Sequence, residues 1–253
     1  DMHMLPAGAP VHVTAGSGVN IDEFTHAPVE NDENIAAGRI RFVLVSRLLI
    51  SKGVRVFAEA ARRIKQRHPH AEFHLVGPCD PNPNRVDESE VHQWVAEGTL
   101  KHHGMVKDVA ALLQAMHVFV LPTWYREGVP HATLEALATG RPVITTNSVG
   151  ARECVKLTAE GEKQREHGEM LMQGENGFLC QPQNVAAVKC AMEWYLAHPD
   201  HIAAQGRASR QLAAEVFDVR LVNDTIIRAM RLKSPPQEAV GLSSLVIPQS
   251  SSL

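Results

Sequence analysis

The amino-acid sequence predicts an α/β fold, a parallel β-sheet with helices on both faces. Short apolar runs alternate with longer segments whose apolar residues recur at helical spacing. Within the runs the apolar residues are consecutive, as in strands covered on both sides. Gly and Pro mark the junctions, at His68-Pro69, Gly77-Pro78 and Gly140.

Taken in order, the first strand is residues 41–46, carrying Phe42-Val43-Leu44-Val45. Val54, Phe57, Ala58, Ala61 and Ile64 then give an amphipathic helix over residues 53–67, ended by His68-Pro69. Residues 72–76 form the second strand. After a loop rich in Pro and Asn, residues 79–87, a helix is expected over 88–96 and a short strand over 100–103. Val109, Leu112 and Leu113 mark a third helix, and residues 118–121 a fourth strand. Pro130 opens the next helix, to about residue 138, because its missing amide hydrogen is harmless in a first turn. Strands follow at 143–146 and 177–180. Residues 185–217 hold two helices broken near His198-Pro199, and one more covers about 221–231. Two stretches fall outside the alternation. Residues 156–168, dense in charge, read as a surface insertion, and residues 234–253, rich in Ser and Pro, as a flexible tail.

At 253 residues the chain is long for one domain yet short for two α/β domains facing across a cleft. Hydrophobic residues make up 44%, ordinary for a soluble core, while aromatics at 5% are too few for a stacking platform on single-stranded nucleic acid. Lys and Arg number 25 against 28 Asp and Glu, a net charge of −3, so no global field recruits nucleic acid or anionic lipid. Cys79, Cys154, Cys180 and Cys190 show no Cys-x-x-Cys spacing, which argues against a zinc site or disulfide framework and for a reduced cytosol. No apolar run approaches the roughly 20 residues that span a bilayer. Asp1-Met2-His3-Met4 lacks the regions of a signal peptide and does not read as a natural start.

Candidate chemistry concentrates in two loops that follow strands, where open parallel sheets bind ligands. The first, Ser46-Arg47-Leu48-Leu49-Ile50-Ser51-Lys52-Gly53, delivers Arg47 and Lys52 beside the start of a helix. Helix-start amides and the dipole favour an anion there, such as a diphosphate. Taken alone, the two cations fit solvated surface charge equally well. The second loop and its helix run Pro122-Thr123-Trp124-Tyr125-Arg126-Glu127-Gly128-Val129-Pro130-His131-Ala132-Thr133-Leu134-Glu135. Helical side chains lean toward the N-terminus, so Glu135 is expected at the pocket that Glu127 edges. Ionised carboxylates accept several hydrogen bonds each and suit the hydroxyls of a sugar and a ribose. Gly128 lets a ligand approach the backbone, and first-turn amides lack internal partners. As a bare pair, Glu127 and Glu135 also fit a dipole-complementing residue and an exposed helix charge. Gly16-Ser17-Gly18 is not a dinucleotide fingerprint, since no third glycine and no strand–turn–helix unit follows. His131, after Pro130, is placed to touch a ligand, though a lone histidine at a helix start is more often incidental, and His102-His103 reads as a strand end without companion ligands for a metal role.

Order decides among these alternatives: strand, Arg/Lys loop, Val-Gly-Pro, Gly104, then Leu-Pro-Thr, Glu-Gly-Val-Pro, Glu-Ala-Leu and Gly-Arg-Pro-Val. Over about residues 18–217 this set resembles glycosyltransferase family 4 (group 1), GT-B enzymes that transfer sugars with retention of anomeric configuration. Gly77-Pro78-Cys79-Asp80-Pro81, Val149-Gly150-Ala151-Arg152-Glu153-Cys154 and Gly174-Glu175-Asn176-Gly177-Phe178 are similar to a bacterial subgroup building surface polysaccharides on lipid carriers. The resemblance implies a Rossmann-like fold, the C-terminal, donor-binding half of a GT-B enzyme. Residues 1–24 would be the interdomain segment through which the chain enters this half, and 25–233 the donor domain, with an insertion near 156–168 and a flexible tail at 234–253.

The resemblance also implies a catalytic set of Arg47, Lys52 and Glu127. The two cations neutralise the donor diphosphate, and Glu127 binds hydroxyls of the transferred sugar. Glu135 would bind the ribose, and backbone from Gly104 through Val106 to Lys107 the base. Gly128, Val129, Pro130 and the Thr133-Leu134 turn would hold sugar or phosphate. No metal or other cofactor is implied, and these loops carry no Asp-x-Asp motif. The implied partners are a nucleotide-sugar donor, UDP-linked by the subgroup resemblance, a glycan or lipid-linked acceptor, and an N-terminal acceptor domain of the same protein. No such domain precedes residue 18, so this chain alone is expected to bind donor without efficient transfer. The expected location is cytoplasmic, with peripheral contact at most to the inner face of the membrane. Two other classes remain compatible: a non-catalytic nucleotide-sugar-binding module, and another GT-B enzyme such as an epimerase or phosphorylase. In a thermal-shift panel, UDP-sugars are expected to raise Tm more than GDP- or ADP-sugars, because a ligand stabilises with the logarithm of its saturation. A larger shift with GDP- or ADP-sugars overturns the UDP assignment.

Overall fold

The computed structural model describes residues 14–29 and 32–230. Residues 234–253, and most of the segment 1–24, therefore lie outside the described residues. Among the described residues seven strands form one sheet: β1 (Arg41–Val45), β2 (Glu72–Val76), β3 (Lys101–His102), β4 (Val118–Leu121), β5 (Val143–Thr146), β6 (Leu171–Gly174) and β7 (Gly177–Cys180). Their order is β3-β2-β1-β4-β5-β7-β6. Every neighbouring pair is parallel except β6 with β7, where Leu171 faces Cys180 and Gly174 faces Gly177. β4, β5 and β7 are buried at every position, and β1 and β2 at all but their first residue, as their consecutive apolar residues require.

The helices are α1 (Glu33–Ala36), α2 (Val54–Lys65), α3 (Glu88–Ala96), α4 (Val109–Gln114), α5 (His131–Thr139), α6 (Ala159–Glu166), α7 (Val185–Ala197), α8 (His201–Leu212) and α9 (Val219–Ala229). α2 packs with α7, and α5 with α4 and α8. From β1 the chain crosses by α2 to β2 on one side, and from β4 by α5 to β5 on the other. Right-handed crossovers in opposite directions put α2 and α5 on opposite faces of the sheet.

Residues 156–168, read from sequence as a surface insertion, hold α6, which is capped by the Thr158 hydroxyl at 3.0 Å from the Gly161 amide and packs on β6. β6 itself escapes sequence reading because it has no β-branched residue and no neighbour until the turn at Glu175-Asn176 folds it back on β7. Pro130 also stands one position earlier than expected, as the N-cap of α5 at φ −65° rather than inside its first turn.

α1 is tied to the sheet through a buried histidine. His117 Nδ1 accepts the Arg41 amide at 3.0 Å, which leaves the ring proton on Nε2 to be donated to Asp32, 3.0 Å away. Burial, aided by the Arg41 charge, depresses His117 to about 4. On β2, burial and the neighbouring His103 depress His74 to about 4 as well. Both rings are held neutral, so their contribution to stability is complete above the ordinary value of 6.5 and is lost as pH falls toward 4. Each is worth on the order of 3 kcal/mol over that interval. Melting curves from pH 7 to 4 should show Tm falling with acid, with a shallower fall in the His74→Gln/His117→Gln variant; equal slopes would exclude these rings as the cause.

Candidate functional site

In the strand order β1 and β4 are neighbours from which the chain departs in opposite directions. That is a topological switch point, and the crevice beyond the carboxyl ends of such strands is where open α/β sheets hold ligands. The two candidate loops leave β1 and β4, so both border this crevice.

The first loop turns through a short 3₁₀ segment, Ile50–Lys52, into Gly53, which has φ 81° and leads into α2. A Cβ on Gly53 would strike the Pro122 carbonyl, so glycine permits both the left-handed turn and the approach of the two loops. They are fastened at Ser51. Its carbonyl accepts the Trp124 amide at 2.9 Å and the Thr123 hydroxyl at 3.2 Å. Beyond this junction Lys52 Nζ donates to Glu127 Oε1, with side chains 12% and 24% exposed. The same ammonium lies 5.6 Å from the centre of the Tyr125 ring. The loop after β5 supports the carboxylate side, since Gly150, at φ 79°, lies against the Glu127 and Gly128 carbonyls with no room for a Cβ.

Arg47 has a different partner. Its guanidinium donates to Asp80 Oδ2 at 3.0 Å, and its side chain is 58% exposed against 10% for Asp80. Asp80 belongs to a strap, residues 78–86, that runs antiparallel to the first loop. Leu48 donates to the Pro78 carbonyl at 3.2 Å, Ile50 to that of Asn84 at 2.9 Å, and Val86 to that of Leu48 at 2.8 Å. Asn84 Nδ2 closes the strap on Ser51 Oγ at 2.8 Å.

From sequence, Glu127 and Glu135 are expected at one pocket; the structure opens two clefts. Glu127, Gly128 and Val129 line one of about 630 Å³ with Thr14, Gly16, Val149, Gly150 and Glu153. Glu135 lines another of about 660 Å³ with Glu23, Phe24, Lys107, Asp108 and Gln114. The separation follows from the packing of α5 on α4, which turns Glu135 toward the start of α4. Burial raises the Glu135 carboxyl above its ordinary value; His131, its Nδ1 3.5 Å from Glu135 Oε1, works against this and Glu23 adds to it.

Gly104 has φ 60° and open space where a Cβ would stand, while its carbonyl accepts the Gly77 amide at 2.8 Å. Val106 is half-buried against the core. Gly128 is exposed, also with open space beside it. Thr133 and Leu134 are buried, and their amides are engaged by the Pro130 carbonyl at 3.0 and 3.2 Å. A ligand at this helix start therefore meets the amides of His131 and Ala132, two residues earlier than the Thr133-Leu134 turn named from sequence. The Thr133 hydroxyl is buried and has no partner among the described residues. Among the described residues no group of three or more His, Cys, Asp or Glu side chains is arranged to hold a metal ion. No helix among them is long and apolar enough to cross a membrane.

Asp80, Glu23, Phe24 and Glu153 join these surroundings without having been singled out as site residues from sequence. For Asp80 a signal exists: an acidic residue in a Pro- and Asn-rich loop directly after a strand. Glu23, Phe24 and Glu153 are brought in by tertiary packing and have no local signature.

A parallel sheet with two charged loops meeting at its switch point defines a ligand-binding α/β domain. Residues 39–198 match the family described as Glycosyl transferases group 1, and the chain belongs to that family. It is 31% identical over 151 residues to the N,N'-diacetylbacillosaminyl-diphospho-undecaprenol alpha-1,3-N-acetylgalactosaminyltransferase of Campylobacter jejuni, covering 57% of this chain and 38% of that protein. Anabaena HepE, solved in complex with UDP, superposes with a TM-score of 0.67 at 22% identity, covering 85% of this chain and 56% of that one. The C-terminal domain of LpcC, a glycosyl transferase group 1 family protein from Francisella tularensis, superposes with a TM-score of 0.60 at 19% identity. There the match covers 79% of this chain and 99% of the domain. The fold is thus that of GT-B glycosyltransferases. The chain spans about half the length of the full-length proteins it resembles.

The raised Glu135 carboxyl has a thermodynamic sign. Its folded-state value lies above the ordinary 4.5, so folding favours the protonated form and the charge is destabilising at higher pH. Glu135→Gln is expected to raise Tm at pH 7 to 8 and to leave it unchanged near pH 4, as functional-site charges often do. Thermal melts at the two pH values check this, and a lower Tm at neutral pH would show that the carboxylate is structural.

Proposed function

We propose that this chain is the donor-binding half of a retaining glycosyltransferase of bacterial surface-polysaccharide synthesis. It takes a hexose or N-acetylhexosamine from a UDP-sugar and serves its transfer to a glycan or lipid-linked acceptor. The observation that carries the reading is the Lys52–Glu127 pair, a cation and a carboxylate held together by two loops at the switch point. Family membership supports it, as do the UDP and UDP-glucose complexes of HepE and the diphospho-undecaprenol in the name of the Campylobacter relative.

The chemistry follows from where charge moves. Cleavage of the sugar–phosphate bond builds negative charge on the departing diphosphate and positive charge on the sugar ring. Lys52 and Arg47 beside that diphosphate stabilise the transition state more than the ground state, which raises rate rather than affinity alone. Glu127 holds sugar hydroxyls and, through Lys52, keeps the ammonium in place. Glu135 accepts the ribose hydroxyls in the second cleft, and first-turn amides of α5 meet phosphate or sugar oxygens. The cations take the part that a divalent metal plays elsewhere, so no metal or cofactor is assigned. The location is cytoplasmic, at the inner face of the membrane that carries the acceptor. On this reading, acceptor binding and cleft closure fall to an N-terminal domain of the same protein.

Calorimetry with UDP and UDP-sugars tests the reading. The chain is expected to bind both, while turnover with a lipid-linked acceptor stays near background until the other half is supplied. Glu127→Ala should abolish most of the extra affinity contributed by the sugar, about tenfold, with UDP binding kept within a factor of about three. Equal losses for UDP and UDP-sugar would remove Glu127 from the sugar site, and strong transfer by this chain alone would overturn the division of labour.

A further inference from the structure

We infer that Asp80 is a positioning residue for Arg47, a fixed carboxylate that presents the guanidinium to the donor diphosphate. The inference rests on the donor-site reading above and goes beyond it, since it assigns a role to the strap rather than to either loop.

Arg47 alone is poorly suited to its task. With its side chain 58% exposed, it would have many rotamers to lose on meeting an anion. Asp80 removes that freedom in advance. One carboxylate oxygen, Oδ1, accepts the Asn82 amide at 2.8 Å, which fixes the side chain to its own loop. The other, Oδ2, accepts Arg47 Nη1 at 3.0 Å. At 10% exposure the carboxylate is held where solvent competes little. The strap that carries it is bonded to the first loop on both sides of Arg47's neighbour Leu48, and again at Ser51 through Asn84. The backbones that carry Asp80 and Arg47 are therefore held side by side, and the pair itself rests on the single bond from Nη1 to Oδ2. A guanidinium has five N–H donors, and one is committed to Asp80, so the others stay available to an incoming phosphate. The same arrangement recurs at Lys52, whose partner carboxylate is Glu127. Each of the two cations is thus oriented by its own acidic residue from a neighbouring segment.

A fixed carboxylate near a phosphate site could instead compete with the ligand for the cation, and the two roles predict opposite signs. Calorimetric titration with UDP and with uridine, on the unsubstituted chain and on Asp80→Asn, Asp80→Glu, Arg47→Gln and Asp80→Asn/Arg47→Gln, separates them. Expected is a loss of UDP affinity of about tenfold in Asp80→Asn, with uridine binding changed by less than about twofold. Partial recovery is expected in Asp80→Glu, and no further loss when Asp80→Asn is added to Arg47→Gln. Unchanged or tighter UDP binding by Asp80→Asn overturns the proposal, as do losses that simply add in the double variant. A matching loss for uridine shows general damage to the fold and also overturns it. If the unsubstituted chain binds neither UDP nor uridine, the donor-site reading itself falls and this inference with it.

Discussion

The Ser51 carbonyl is the point through which the rest of the site is organised. Two donors from the β4 loop, the Trp124 amide and the Thr123 hydroxyl, converge on it, while the Ser51 side chain accepts Asn84 from the strap. One small residue, 6% exposed, thereby joins three segments that are distant in sequence. An alanine there would keep the carbonyl but lose the hydroxyl that receives Asn84. Lys52 and Gly53 follow directly, so their geometry is inherited from this junction. The β4 loop has a second anchor at its base, where the Thr123 carbonyl accepts both the Thr146 and Ser148 hydroxyls from the end of β5. The loops are therefore rigid where they meet and open where they face the crevice.

Paired charges at such a site carry a cost and a gain. Lys52 and Glu127 are partly withdrawn from water, and each offsets the other's desolvation. A lone lysine in that place would attract any small anion; a lysine already engaged by a carboxylate selects for ligands that offer more than charge. A ligand that carries both hydroxyls and phosphates does so, since its hydroxyls can satisfy the carboxylate while its phosphates reach the cation. Preorganisation of this kind reduces the reordering left to be done when the ligand arrives.

Most of the sheet was legible in the sequence because burial on both faces leaves an unmistakable trace: Phe42-Val43-Leu44-Val45 and Val118-Phe119-Val120-Leu121 need no context to be recognised as strands. β6 left no such trace, since Leu171-Met172-Gln173-Gly174 is a strand only by virtue of the turn and the neighbour it pairs with. At the site, Arg47, Lys52, Glu127 and Glu135 stand out by residue type and by their place after strands, and motif order supplies what spacing cannot. The division into two clefts was not legible, because it depends on how α5 packs on α4. Nor was the engagement of the Thr133 and Leu134 amides, which follows from Pro130 being the cap itself. Partners such as Asp80 escape for a related reason: which acidic residue an arginine finds is set by loop paths, not by composition.

The antiparallel β6 also settles how this sheet ends. An edge strand offers unpaired backbone groups to any passing strand. Here the Gln173 carbonyl is taken by the Thr158 amide and hydroxyl, both at 3.1 Å, and the Gln173 amide by Gln164 of α6 at 2.9 Å. Gly161 lets α6 lie directly on the Gln173 backbone. At the far side β3 is only two residues long, and its Lys101 is paired with Glu72. Among the described residues both borders are thus blunted, one by the cover over Gln173 and the other by its shortness.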